Sequence, residues 1–307
     1  MTVWMCSGQG AQSEGMGADL LDILEVREVF ERASEVLEID LVHLAKEGSA
    51  EEVNDTFNAQ ALTMVLTVAI GKALMAQGKK PDALIGFSLG EIPALAFAGA
   101  YDGLTGFRLA CARGASMARA GKNVNASMAA IVKLPDETVE RLCAAYDHVW
   151  PVNYNCDGQI AVSGDRDELE RLYADVAAAG GRSMPLNVSG GFHSPYMDPA
   201  SAEFGAILAD TPLQKPTLPA YANRTAEPYG ENVRELLTQQ INHPVRWKET
   251  LRHLNEQGFD TFVECGAGMV LCKLVRKNLP ECRSFAVDSL AGLAKLQEEG
   301  MLCCSAT

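Results

Sequence analysis

Gly86-Phe87-Ser88-Leu89-Gly90 constrains this chain more than any other stretch. It fits G-x-S-x-G, with apolar Ala83-Leu84-Ile85 before it and the small-residue segment 92–100 after it. That context predicts a strand, a tight turn and a buried helix. Glycines flank the serine because the turn is sharp and a larger side chain would block the approach of backbone and substrate. Such a turn places Ser88 Oγ at a helix N-terminus, where amide N–H groups can stabilise an oxyanion. An ordinary tight turn is the competing reading of so short a motif.

A second glycine-rich turn, Gly8-Gln9-Gly10-Ala11-Gln12, follows the apolar opening of the chain and predicts a first strand. Helical spacing then runs over about residues 17–77. The pattern changes after Ser127. Predicted strands at 128–134, 149–153, 159–163 and 182–186 alternate with helices at 136–146 and 166–179. The order β-α-β-β-α-β is that of a ferredoxin-like unit. The expected fold class is therefore α/β, a large domain of residues 1–125 and 190–307 interrupted by a small α+β subdomain of residues 126–189. After the subdomain only helices and one more strand, near residues 261–264, are expected.

Charge and composition exclude several roles. Lys and Arg number 26 against 40 Asp and Glu, a formal charge of −14 that leaves no broad basic surface for nucleic acid. The apolar run 61–76 is interrupted by Thr63, Thr67, Gly71 and Lys72 and is shorter than the ~20 residues of a membrane span. The first ten residues carry no basic and apolar leader pattern, so no secretory signal is expected. The nine cysteines include no CxxC pair, and only Cys303 and Cys304 are adjacent. Reduced thiols in a cytoplasmic protein, with no metal site, follow from that pattern.

A serine hydroxyl needs a base. Of five histidines, His43 and His148 sit among polar residues, His253 lies in a charged helix pattern and His243 precedes Pro244. His193 differs, standing in the glycine-rich Val188-Ser189-Gly190-Gly191-Phe192-His193-Ser194-Pro195 just past the subdomain. Position alone leaves His193 open between a base and a structural histidine.

Several separated motifs occur in one order: Gly8-Gln9-Gly10-Ala11-Gln12, Gly86-Phe87-Ser88-Leu89-Gly90-Glu91, Arg113-Gly114-Ala115-Ser116-Met117, Asn153-Tyr154-Asn155, Gly191-Phe192-His193-Ser194-Pro195 and Pro244-Val245-Arg246-Trp247. Together they resemble the malonyl-CoA:acyl carrier protein transacylases and the related acyltransferase domains of polyketide synthases, over about residues 3–274. The resemblance implies an α/β-hydrolase-like core with a ferredoxin-like insert. It makes Ser88 the nucleophile and His193 its base, oriented by a backbone carbonyl at Gln240 in place of a carboxylate. The oxyanion hole falls to the N–H groups of Gln9 and Leu89. Arg113 becomes the clamp for the malonyl carboxylate, where composition alone reads a solvated helix arginine. Met117 lines the acyl pocket or packs in the core. Phe192 crowds an α-methyl branch, favouring malonyl over methylmalonyl by ~1–3 kcal/mol.

The chain departs from the family pattern at Phe87, where many members carry His, at Cys6-Ser7 in place of Phe-Pro, and at Cys265-Gly266-Ala267-Gly268 in place of a Gly-Pro-Gly version. The implied partners are malonyl-CoA and acyl carrier protein, with no cofactor, no nucleic acid, no membrane and a monomeric state. A local basic rim from Arg182, Lys273, Arg276 and Lys277 is expected to meet the acidic carrier. Three alternatives stand beside this reading: a serine hydrolase or thioesterase, a trans-acting acyltransferase of a polyketide synthase, and a catalytically inert docking module. The hydrolase would need an acidic triad member between Ser88 and His193, and Asp136, Asp157 and Asp165 all fall in the predicted subdomain.

Overall fold

The computed structural model describes residues 1–122, 124–188 and 190–301, so Cys303 and Cys304 lie outside the described residues. Among the described residues nine strands occur in chain order: β1 (Thr2–Cys6), β2 (Ala83–Gly86), β3 (Ala126–Val132), β4 (Val149–Cys156), β5 (Gln159–Asp165), β6 (Arg182–Pro185), β7 (Ala220–Tyr221), β8 (Thr261–Cys265) and β9 (Arg283–Val287). They form two sheets, one of order β7-β2-β1-β8-β9 and one of order β4-β5-β3-β6.

The larger sheet is parallel throughout. Its central strands are buried along almost their whole length, as a sheet covered by helices on both faces requires. One face packs against helices Leu24–Leu37, Thr56–Ala76 and Gly103–Gly121, the other against Trp247–Glu256 and Val270–Asn278. Register decides where function can sit. Cys6 of β1 pairs with both Gly86 of β2 and Cys265 of β8, so three strands end level. The loops that follow, beginning at Ser7, Phe87 and Gly266, emerge side by side at the carboxyl edge, where open α/β sheets bind their ligands.

The second sheet is antiparallel, and its order is that of the ferredoxin-like unit expected from the alternating pattern. Helices Asp136–Cys143 and Arg166–Ala178 cover it, and Val139, Leu169, Leu172 and Val176 build a separate small core with Ile131 and Val162. The antiparallel sheet is tied to the segment before helix Trp247–Glu256, where Val245 N–H donates to Val152 O at 2.8 Å and Tyr154 N–H donates to Val245 O at 2.9 Å.

Two expectations need correcting. β7 and β9 were not foreseen: β7 is two residues long, too short for any periodicity, and β9 opens on Arg283 and Ser284 and buries only Phe285 and Val287. The apolar run at 61–76 is part of a 21-residue helix, Thr56–Ala76, opened by Asp55, whose side chain accepts from Phe57 and Asn58 N–H. Its window Phe57–Ala76 is long and apolar enough to cross a membrane, with mean hydropathy 1.5, yet 83% of it is buried inside the protein. It is the central helix of the core.

Candidate active site

The elbow forms because two backbones come too close for side chains. A Cβ on Gly86 would stand 1.9 Å from the Gly90 carbonyl carbon, and one on Gly90 would stand 2.1 Å from Cys6 O. The left-handed backbone falls instead on the serine, Ser88 at φ 52°. That conformation costs a non-glycine residue roughly 1–2 kcal/mol and turns the side chain out of the strand. Ser88 and Leu89 then begin a short 3-10 turn, Ser88–Gly90, that runs into helix Glu91–Phe97.

His193 reaches the elbow from 105 residues further along, with Nε2 2.8 Å from Ser88 Oγ. Its Nδ1 lies 3.0 Å from Gln240 O. A carbonyl oxygen can only accept, so Nδ1 carries the proton and Nε2 is left to accept from the serine hydroxyl. His193 is itself left-handed, at φ 60°, and 4% exposed. Burial, with the Arg113 charge adding to it, pulls its pKa down to about 4, so the ring is neutral at pH 7.

Arg113 is not the solvated helix arginine that composition suggested. It projects inward from helix Gly103–Gly121 and is 1% exposed. Nη2 donates to Ser88 Oγ and to Gln240 Oε1, both at 3.0 Å, and Nη1 donates to Gln60 Oε1 at 3.3 Å. Its Nε is buried with no partner among the described residues. Burial lowers its pKa to about 10, against the opposing pull of Glu91, so the guanidinium stays charged.

A cavity of about 320 Å³ opens over these groups, lined by Gln9, Ser88, Arg113, Met117, Phe192 and His193 among others. Gln240 lies beneath it, 1% exposed, and its Nε2 donates to Ser88 O. Among the described residues, neither the Gln9 nor the Leu89 amide N–H donates to another group. Met117 and Phe192 are nearly buried and face the cavity, at 2% and 8% exposure. Every residue expected at the site is thus gathered there.

Sequence reasoning missed Gln60, Glu91 as a buried acid, and Asn223. Gln60 carried a weak signal, an amide at the head of a largely apolar helix, and the structure buries it completely. Asn223 carried none. The acidic residues that a hydrolase triad would need are engaged elsewhere: Asp136 and Asp157 pair with Lys248, and Asp165 caps helix Arg166–Ala178. No group of three or more His, Cys, Asp or Glu side chains is placed to hold a metal ion among the described residues.

A second cavity of about 490 Å³ shares Gln9, Phe87, Asn153 and Val188 with the first. It continues along Val270, Leu271 and Leu274 of helix Val270–Asn278. Lys273, Arg276 and Lys277 ride exposed on that helix, and Lys277 Nζ donates to Gln159 Oε1 at 2.8 Å across the cavity's edge. Arg182 lies in the same row of the antiparallel sheet as Gln159, two strands across, because Val132 pairs with both. It pairs with Val132 on β3, four residues along from Met128, whose carbonyl accepts from the cavity-lining Leu186.

Comparison with known proteins agrees with this geometry. The family model described as acyl transferase domain matches residues 3–304. The malonyl CoA-acyl carrier protein transacylase of Escherichia coli (strain K12) is 34% identical over 299 residues, 95% of this chain and 97% of that protein. The polyketide biosynthesis malonyl CoA-acyl carrier protein transacylase PksC of Bacillus subtilis (strain 168) is 35% identical over 284 residues, 90% of this chain and 96% of that one. A solved structure of a type II PKS acyl-carrier protein in complex with its malonyl-transacylase superposes with a TM-score of 0.93 at 34% identity, covering 97% of this chain and 99% of that chain. By sequence and fold, the chain belongs to the acyl transferase domain family, among the malonyl CoA-acyl carrier protein transacylases.

Proposed function

We propose that this enzyme moves a malonyl group from malonyl-CoA to the phosphopantetheine thiol of an acyl carrier protein, through an ester on Ser88. The observation that carries the reading is the buried Arg113 fork sharing one cavity with the Ser88–His193 pair. His193 Nε2 takes the hydroxyl proton as Ser88 Oγ adds to the thioester carbonyl carbon. The Gln9 and Leu89 amides hold the resulting oxyanion. When the C–S bond breaks, His193 returns the proton to the departing thiolate, and CoA leaves as its thiol. The carrier thiol then runs the same steps in reverse. No step needs a metal or a cofactor, since the thioester already supplies an activated carbonyl.

A carbonyl suffices to orient His193 because the base only carries one proton between the serine hydroxyl and a thiolate, and the two half-reactions mirror each other through like thioesters. The malonyl carboxylate would take over the Arg113 donors that now reach Ser88 Oγ and Gln240 Oε1. A cytoplasmic location, residues 126–189 as a subdomain within 1–125 and 190–307, and a monomeric state are part of the same proposal. The seven described cysteines, all free, suit a reducing compartment.

Intact-mass measurement after mixing with malonyl-CoA tests the reading. A malonyl adduct that persists until carrier protein is added supports it. Rapid release of free malonate without carrier protein would make the chain a hydrolase, and no adduct or turnover would make it a docking module.

The buried imidazole sets the pH dependence. With its pKa pulled to about 4, His193 stays a neutral base well below the ordinary histidine value. kcat/KM for malonyl-CoA is expected to stay level from pH 8 down to about pH 5, then fall with a midpoint about 4. A bound carboxylate offsets the Arg113 charge that helps hold the pKa down, so the acid limb of kcat should lie at higher pH than that of kcat/KM. A kcat/KM midpoint near the free-histidine value would refute the buried, neutral base. Stability carries the same sign: as pH falls from neutrality toward 4, the unfolded chain binds a proton that folded His193 refuses, so this group makes the fold less stable.

Lys273, Arg276 and Lys277, beside the second cavity, are the proposed contact for the acidic carrier protein. Reversing Lys273 and Arg276 to glutamate is expected to raise KM for carrier protein about tenfold at low salt and to leave KM for malonyl-CoA unchanged. Steady-state kinetics at two ionic strengths checks this, and equal carrier KM values would reject the surface.

A further inference from the structure

We infer that Asn223 is a positioning residue that holds the Ser88 elbow in its reactive shape, an inference that rests on Ser88 being the nucleophile. Asn223 is 2% exposed and does not line the Ser88 cavity. Its carboxamide grips the turn on both sides of Phe87: Oδ1 accepts from Ser88 N–H at 2.8 Å, and Nδ2 donates to Gly86 O at 2.6 Å. A residue in a parallel ladder bonds its neighbour in the same way, through the N–H and C=O that flank one opposing residue.

The ladder itself stops just before this point. β7 ends at Tyr221, which pairs with Ile85 of β2. Asn223 stands two residues beyond, and its side chain carries the pairing across the place where the backbone leaves strand geometry. Only a carboxamide presents a donor and an acceptor together in that way; Asp lacks the donor and Ala lacks both.

Asn223 is in turn immobilised from two directions. Its N–H donates to Glu91 Oε1 at 2.7 Å, and its carbonyl accepts from Arg246 N–H at 2.8 Å. The Tyr229 hydroxyl donates to the same Glu91 oxygen at 2.8 Å, and Glu91 belongs to the helix that follows the elbow. Glu91 is 1% exposed and touches no cavity over the serine, which fits a structural anchor. A left-handed serine relaxes toward ordinary backbone unless its peptide planes are held. The Ser88 Oγ to His193 Nε2 distance of 2.8 Å is the quantity such relaxation would change.

Asn223→Ala and the nearly isosteric Asn223→Asp test the inference on the full chain. Three measurements are made on folded protein: kcat and KM for malonyl-CoA, the rate of malonyl loading, and the rate at which a fluorophosphonate labels Ser88. In both variants kcat and labelling are expected to fall together by about 10- to 100-fold, as for a misplaced reacting atom. KM for malonyl-CoA should stay within about threefold, because Arg113 is untouched.

A structural role alone would lower the melting temperature and leave labelling per folded molecule unchanged, which overturns the inference. So would a kcat within about threefold of the parent, or failure of both variants to fold, which would assign Asn223 to folding. If only the alanine variant is unfolded, Asn223→Asp decides. The reading of Ser88 fails separately: the parent enzyme would then resist the fluorophosphonate and behave like Ser88→Ala.

Discussion

Ser88→Ala is expected to lower kcat for malonyl transfer by about 10⁴-fold or more and to leave no covalent adduct by intact mass. The size follows from the ping-pong scheme, in which both half-reactions pass through an ester on one oxygen. With Oγ gone, His193 has no proton to take, since Nε2 makes its hydrogen bond to that atom. His193→Ala is expected to cost nearly as much, because an unassisted hydroxyl is a weak nucleophile at neutral pH. The double variant should then be scarcely worse than either single one, as for residues that act as one unit. Steady-state and single-turnover kinetics of the three proteins measure this. Multiplying losses in the double variant, or transfer surviving in Ser88→Ala, would break the dyad apart.

Arg113→Ala should change what the enzyme accepts. Removing one partner of a buried, hydrogen-bonded charge pair costs about 2–5 kcal/mol, and each 1.4 kcal/mol is about tenfold. kcat/KM for malonyl-CoA is therefore expected to fall by about 10²- to 10³-fold. Acetyl-CoA carries no carboxylate for the fork, so its turnover should hold or rise, and the ratio of the two is the diagnostic. Arg113→Lys should recover only part of the malonyl rate, because an ammonium cannot make the forked contact. An equal loss for both thioesters would show Arg113 to be structural.

The substitution also has a stability cost. Gln60 Oε1 and Gln240 Oε1 lose a donor, and Glu91, pushed up to about 7 by burial, loses the nearby charge that favours its ionised form. The alanine variant should melt at a lower temperature, and kinetics must be read on the folded fraction.

Much of the architecture was legible because its signals are local. Apolar Ala83-Leu84-Ile85 before a glycine-flanked serine announced strand, turn and helix. Alternation over residues 126–185 announced the antiparallel unit to within a few residues at most boundaries. Short β7 and β9 escaped because a strand of two residues, or one of five with a polar start and only two buried side chains, gives too little pattern to read. The bounds of helix Thr56–Ala76 were not legible, since the apolar run starts only at residue 61 and the stretch before it holds Asn58 and Gln60, of which Gln60 is fully buried in the fold.

The site divides in the same way. Ser88 and its flanking glycines were legible within five residues, because Gly86 faces Gly90 inside the same turn, although the approach of Gly90 to Cys6 O exists only once the sheet has formed. The resemblance supplied the roles of His193, Gln240 and Arg113. That Arg113 points inward, that Gln240 lends its carbonyl to His193 and its amide to the elbow, and that Asn223 completes a strand from 135 residues away were settled only by packing. Sequence carries what neighbouring residues impose on one another. Hydrogen bonds between strangers exist only after the sheet has aligned Cys6, Gly86 and Cys265 and drawn their loops to one edge.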